Sequence, residues 1–481
     1  MLETGSGGAA HGGDAGHPGT AQDDTTGAAR RDELTGERDG LTVQHDERPG
    51  QRDELLGLFP ANSRTLDTDG ELLIAGLRAE ELATAYGTPA LIVDEAALRE
   101  RARAYLDGLR SRWPLSDVAF ASKAFPCTAM CRIAAEEGLS IDVAGGGEMA
   151  AALAAGADPA TLVLHGNAKT PAEIAMAVRA GVGTVVVDNF DDIDRLEAAV
   201  RDAELDPSCE APANGQGVLV RVIPGVHPGT HEAVATGQHD SKFGLPMEQA
   251  REAIARLRGS DRLRLDGVHV HVGSQVLSTE PFARAVEAVT ELGEFAVYDL
   301  GGGLGVRYTY EEHPPTLDAY LDAVTEAARR HLPADARLLI EPGRSMVADA
   351  ALTLYRVVTV KRGARTFVAV DGGMGDNLEP VVYQQRFEAT VTNRVGGGET
   401  CELVGRHCES GDKIVSGVPL RDPRPGDLIA VPVTGAYSYS VASNYNGACR
   451  PPVVLCRDGE ARLAVRRETH DDLLRRDVRW W

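Results

Sequence analysis

Five lysines, at positions 123, 169, 242, 361 and 413, stand against 44 arginines in this chain of 481 residues. Imine chemistry is one task that separates the two: a desolvated amine of lowered pKa attacks a carbonyl, whereas a guanidinium does not. Lys123 is the best placed. It follows the apolar run Val118-Ala119-Phe120-Ala121, and a lysine is seldom buried at a strand end unless it is paired or used. Other residues able to do chemistry cluster in short motifs. These are Asp142 followed by Glu148, His165-Gly166-Asn167-Ala168-Lys169, His269-Val270-His271-Val272-Gly273-Ser274, Asp299 leading into Gly301-Gly302-Gly303-Leu304-Gly305, and Glu341-Pro342-Gly343-Arg344. The glycine run lets backbone N–H groups approach an anion, and Arg344 adds a cation beside it. An imine-forming lysine, a phosphate cradle, a flat imidazole and a carboxylate together describe a site for pyridoxal phosphate, the carboxylate pairing with the pyridine nitrogen. His269 and His271 also fit core histidines or a metal pair. A metal-dependent barrel hydrolase would draw on them with His165 and Asp299, and would leave Lys123 and the Glu341–Arg344 loop without a task.

Each motif closes a predicted strand. Apolar runs at 118–122, 140–144, 161–165, 184–188, 218–223, 265–272, 296–300 and 337–341 alternate with amphipathic helical patterns such as 128–137, 147–155, 171–180, 191–203, 247–258, 281–292 and 316–331. Eight βα units predict a (β/α)8 TIM-type barrel, whose chemistry sits at the C-terminal ends of the strands. A doubly wound sheet would require a glycine phosphate turn after the first strand, and Lys123-Ala124-Phe125-Pro126 is not one. Beyond Gly343 helical periodicity gives way to short strands (353–360, 365–370, 401–404, 428–432) between Gly, Pro and Asp turns, which predicts an all-β domain of sandwich or barrel type. The resulting division is a disordered acidic extension at 1–54, a segment at 55–88 contributing to the β-domain, a barrel at 89–345, and a C-terminal β-domain with its tail at 346–481. In the extension twelve acidic residues face five basic ones among few apolar side chains, too little apolar surface to offset the entropy of ordering.

A net charge of −23 and a pI near 5.0 exclude nucleic acid and anionic membranes as partners. Seven cysteines without metal or framework spacing predict a reducing, cytoplasmic protein, and no apolar run approaches a membrane span.

Several further motifs accompany those above: Phe120-Ala121-Ser122-Lys123-Ala124, Ala235-Thr236-Gly237, Asp240-Ser241-Lys242-Phe243-Gly244, His407-Cys408-Glu409-Ser410-Gly411-Asp412, Gly435-Ala436-Tyr437 and Ser443-Asn444-Tyr445-Asn446-Gly447. In this order the chain resembles the meso-diaminopimelate decarboxylases, pyridoxal-phosphate enzymes of the alanine-racemase-like fold type III, from about residue 55 to 474. The resemblance implies conversion of meso-2,6-diaminopimelate to L-lysine and CO2, the last step of lysine biosynthesis. It implies that Lys123 carries the cofactor, that His271 stacks on its ring, and that Glu341 holds the pyridine nitrogen. Ser274, Gly301, Gly302, Gly303, Gly343, Arg344 and Tyr437 would surround the phosphate. Cys408 would donate the proton after CO2 leaves. Glu409 would bind the distal amino group, with Arg344, Tyr383 and Tyr437 completing the substrate site. Cys408 and Glu409 would act in the other subunit's site, implying a homodimer. No metal is implied. One position departs from the family: Glu379 stands where an arginine usually grips the distal carboxylate. A carboxylate there would repel that group, which admits a basic or carrier-bound amino acid as the alternative substrate, unless Arg386 compensates. An inactive binding homologue is disfavoured by the intact Lys123 and Cys408.

Overall fold

Eight parallel strands close on themselves in the computed structural model, which describes residues 51–209, 212–226, 241–478 and 480–481. They are β1 (Ser116–Ala121), β2 (Ser140–Val143), β3 (Leu162–Leu164), β4 (Thr184–Val187), β5 (Gln216–Val222), β6 (Leu263–Val270), β7 (Val297–Asp299) and β8 (Arg337–Ile340). Each pairs with the next. The ring shuts where Leu338, Leu339 and Ile340 lie opposite Ser116, Asp117 and Val118, so the ends of β8 and β1 are neighbours. Strands buried on both faces read as continuous apolar runs, and their period of two sorts the side chains. Ala119, Val163, Val186, Leu219 and Leu339 point inward as a separate core, while Val118 and Phe120 pack outward in the main core. Helix boundaries follow local chemistry. Asp94 caps Glu95–Arg112 by accepting from the Ala97 N–H. Thr170 and Glu173 form a capping box at Pro171–Ala180, which stops at Gly181 in the left-handed region (φ 74°).

The second domain is a nine-stranded mixed sheet built on the long strand Ala351–Arg362. That strand pairs antiparallel with Thr366–Val370, Leu428–Pro432 and Ala90–Asp94. The last of these corrects the expected boundary at residue 89. Ala90–Asp94 belongs to the β-domain sheet, held between Ala351–Arg362 and Val453–Arg457. Its apolar run has the same pattern as a barrel strand, and only its partners decide which sheet it joins. The strands Lys413–Leu420, Val453–Arg457 and Glu460–Val465 add to those expected from the sequence. Within 55–88, three short strands (Thr65–Leu66, Leu72–Ile74, Leu77–Arg78) make a small sheet of their own. Leu72 and Ile74 pack on Ile92, Leu352, Leu354 and Val454, and the Leu72 N–H donates to the Thr392 carbonyl at 2.8 Å.

Of the expected extension, residues 1–50 lie outside the described residues, and 51–54 open the helix Gln51–Leu56 rather than disorder. The 235–240 motif also lies outside them. Among the described residues no helix is long and apolar enough to cross a membrane.

Candidate active site

After β1, Ser122–Ala124 make a single 3-10 turn in which Ser122 and Ala124 are buried and Lys123 is exposed. The turn lifts the lysine off the barrel wall into the open mouth. Its amine is not acid-shifted as imine chemistry would favour. Enclosure lowers its pKa, but Tyr437, Asp142 and Glu341 outweigh that and hold it above the ordinary value. His271, one residue beyond β6, accepts at Nδ1 from the Gly302 N–H at 3.1 Å. Burial, then the Lys123 and Arg221 cations, keep its pKa well below the usual histidine range, so the ring is neutral.

Glu341 leaves β8 and meets residues from across the barrel. Its Oε2 lies 3.2 Å from His269 Nε2. Its Oε1 lies 2.6 Å from His165 Nε2, an ion-pair distance, although the two are not aligned as a hydrogen bond. Burial alone would raise the Glu341 pKa; the two imidazoles overcome it and hold the carboxylate well below its ordinary range. His165 is raised because Asp142 and Glu341 outweigh its desolvation. His269 drops to about 4, chiefly through burial. Asp142 is pushed up to about 6, and Asp299 well above its ordinary value, burial being the first cause in both. Asp299 Oδ1 accepts the Gly301 N–H at 3.0 Å.

Ligand-type atoms of His165, His269, Asp299 and Glu341 all lie within 4.8 Å of one another, which answers to the metal alternative. However, two donors about 2.0 Å from a tetrahedral ion stand roughly 3.3 Å apart. The 2.6 Å separation of His165 and Glu341 is that of groups pairing with each other.

Opposite this cluster, Arg344 donates from Nε to Ser274 Oγ at 3.2 Å, and its guanidinium carbon lies 4.7 Å from the centre of the Tyr437 ring. The glycines beside it are steric necessities. A Cβ would fall 2.4 Å from the Val270 carbonyl at Gly301, 2.1 Å from the Glu341 carbonyl at Gly302, and 2.5 Å from the Gly273 carbonyl at Gly303. At Gly343 it would press to 3.0 Å from Ala121 Cβ. Tyr437 comes from the β-domain with a left-handed backbone (φ 64°), and its N–H donates to the Ala124 carbonyl at 2.8 Å. The second domain thus docks on the turn that carries Lys123.

Residues 96–348 match the family described as pyridoxal-dependent decarboxylase, pyridoxal binding domain. The chain is 47% identical to the diaminopimelate decarboxylase of Actinosynnema pretiosum subsp. auranticum over 88% of its own length and 95% of that protein's. It is 41% identical to the Bacillus subtilis enzyme of the same name, covering 85% and 95% of the two chains. Among solved structures, diaminopimelate decarboxylase from M. jannaschii in co-complex with L-lysine superposes with a TM-score of 0.79 at 30% identity, over 87% of this chain and 98% of that one.

The chain belongs to the diaminopimelate decarboxylase family.

Decarboxylases of this family depend on pyridoxal phosphate, and the residues present fit it. Glu341 is a buried carboxylate that His165 and His269 hold ionised, the charge a protonated pyridine nitrogen needs opposite it. The Gly301–Gly303 turn has room for backbone alone, beside Ser274 and Arg344. Lys123 is exposed and lies near enough to Tyr437, Asp142 and Glu341 to feel their charges. Expected site residues that fall elsewhere are Cys408, Glu409 and Tyr383. Cys408 is exposed, its N–H donating to Asn446 Oδ1 at 3.0 Å. Glu409 is exposed and accepts from the Tyr445 hydroxyl. Tyr383 is half-buried, its N–H donating to the Glu379 carbonyl at 2.9 Å.

The departure at Glu379 takes a specific form in this decarboxylase. Glu379 is 1% exposed, its oxygens 3.1 and 3.2 Å from Arg344 Nη1, and Tyr308 joins them. It faces a cation as an ion pair. Arg386 is exposed and pairs with exposed Glu311 at 2.7 Å. Residues to which sequence reading assigned no role in the cofactor site are His165, His269, Asp142, Asp299 and Arg221. The last, on β5, is 8% exposed, and burial lowers its pKa. The available signal was a charged or imidazole side chain inside an otherwise apolar strand end, as in Val218-Leu219-Val220-Arg221-Val222.

Proposed function

We propose that this chain decarboxylates meso-2,6-diaminopimelate to L-lysine as a homodimer. The observation that carries the reading is the convergence of an accessible Lys123 with a buried, ionised Glu341 at the C-terminal end of one barrel. When bound, pyridoxal phosphate supplies an electron sink for the pair left behind as CO2 departs. Lys123 would hold it through its aldehyde carbon, with water released. The neutral His271 ring would face its ring. Ser274, Gly301, Gly302, Gly303, Gly343, Arg344 and Tyr437 would hold its phosphate, and the Glu341 carboxylate would pair with the pyridine nitrogen and keep it protonated.

Cys408 delivers one proton to the α-carbon from its thiol, Glu409 takes the distal ammonium group, and Tyr383 with Arg344 and Tyr437 frames the rest of the substrate. In support of a shared site, Cys408 and Glu409 are exposed on their own chain and contact Asn446 and Tyr445, so the surface they lie on is available to a second copy. Glu379 does not call for a cationic substrate, because Arg344 and Tyr308 already satisfy its charge. All seven cysteines are unpaired, in support of a reducing cytoplasm.

The test is CO2 release by the cofactor-loaded protein from meso-diaminopimelate, L-lysine, L-ornithine and L-arginine, with Lys123→Ala as the blank. Release from meso-diaminopimelate alone is expected. Release from a basic amino acid in its place overturns the substrate and leaves the cofactor chemistry standing.

A further inference from the structure

The groups gathered behind Glu341 exceed what recognition of one pyridine nitrogen requires. A terminal carboxylate rotates in a broad, roughly two-fold well, and an unpaired buried one tends to neutralise. Glu341 is 5% exposed and meets constraint on both oxygens. His269 of β6 touches Oε2 at 3.2 Å. Since an ionised carboxylate only accepts, the His269 proton sits on Nε2. His165, just past β3, stands 2.6 Å from Oε1 and 3.8 Å from Asp142 Oδ1. The two rings meet edge to face, their centroids 4.9 Å apart, so each packs against the other. β3 and β6 are not neighbours of β8, which pairs with β7 and β1. The contacts therefore cross the barrel interior and fix Glu341 against the barrel as a whole.

We propose that His165 and His269 are positioning residues that clamp the Glu341 carboxylate and fix its orientation toward the pyridine nitrogen. This rests on the reading above that Glu341 faces that nitrogen. Neither histidine touches the reacting atoms; both act through Glu341.

The test measures pyridoxal-phosphate affinity of the apo-protein, and the absorption spectrum of the bound cofactor against pH, for wild type, His269→Leu, His269→Gln, His165→Leu, His165→Gln, Glu341→Gln and the doubles with Glu341→Gln. Urea midpoints identify any variant that unfolds, and the Gln variants, which keep an N–H donor, stand in for it. Each Leu variant is expected to weaken cofactor binding about tenfold, the scale of one hydrogen bond to a charged group, and to move the spectral pH profile. Each Gln variant is expected to recover most of the loss. On the Glu341→Gln background the Leu changes are expected to alter affinity less than about twofold, since they would act through a group already changed. Equal losses on both backgrounds overturn the clamp and leave the role of Glu341 intact. A Glu341→Gln protein with wild-type affinity and spectrum overturns that role and the clamp with it. One equivalent of zinc bound tightly by the apo-protein and lost in both Leu variants also overturns the clamp, in favour of a metal cage.

Discussion

Glu379 shows how one residue is misjudged without its neighbours. In the sequence it is a carboxylate where an arginine was expected; in the fold it is the buried partner of Arg344 and Tyr308. Removing one member of a buried ion pair strands the other. Glu379→Ala is therefore expected to destabilise the protein by about 3–5 kcal/mol, read as a lower urea midpoint, with Glu379→Gln milder because it retains an acceptor. Asp376 gives a pH signature at the same scale. It is 9% exposed, its Oδ2 accepts the Gly373 N–H at 2.9 Å, and burial pushes its pKa up to about 7 from an ordinary value of 3.8. Between those two values the native state keeps a proton that the unfolded chain has released, so this residue makes stability fall as pH rises. Asp376→Asn is expected to remove that share of the slope, gaining on wild type as pH climbs from 4 to 7 in thermal melts. A wild-type-like slope in the variant would refute it.

At the scale of elements, the loops after β7 and β8 carry the site, and their glycines are there for space. Gly302 is the clearest: its backbone needs no left-handed conformation, yet a Cβ would lie 2.1 Å from the Glu341 carbonyl. Gly302→Ala must push the ends of β7 and β8 apart, against the bond from the Glu341 N–H to the Gly301 carbonyl at 2.9 Å. Overpacking of this kind costs about 1–3 kcal/mol. Because the displaced backbone holds His271 and Glu341, cofactor affinity is expected to fall more steeply than stability, as equilibrium dialysis beside denaturant titration would reveal. All eight barrel strands were legible because their runs are short and apolar and alternate with amphipathic helical patterns. Ala90–Asp94 was misplaced because burial on both faces looks the same in either sheet. Glu460–Val465 escaped notice because none of its residues is buried and they carry little apolar signal.

For the molecule as a whole, the reading places Lys123 and Cys408 of a working site on different subunits. Lys123→Ala and Cys408→Ala proteins, each inactive alone, are then expected to regain about a quarter of wild-type activity when refolded together in equal amounts, since half the dimers carry one intact site of two. Activity that stays at zero in a verified mixed dimer would place both residues in one subunit's site. The sequence by itself determined the barrel, the cofactor and the residues at its strand ends. Strand periodicity is local, and the chemistry of a lysine, a glycine run or a Glu-Pro-Gly-Arg loop travels with the residues. Which charges meet was decided by tertiary structure alone. His165, His269, Asp299 and Glu341 are scattered over more than 170 positions and act on one another only because a closed barrel turns their strands toward a common axis. Glu379 changes from a repelling charge to a satisfied one because the loop beyond Val370 folds back over Arg344. Pairing in a low-dielectric interior depends on ångström distances across the fold, and spacing along the chain does not encode them.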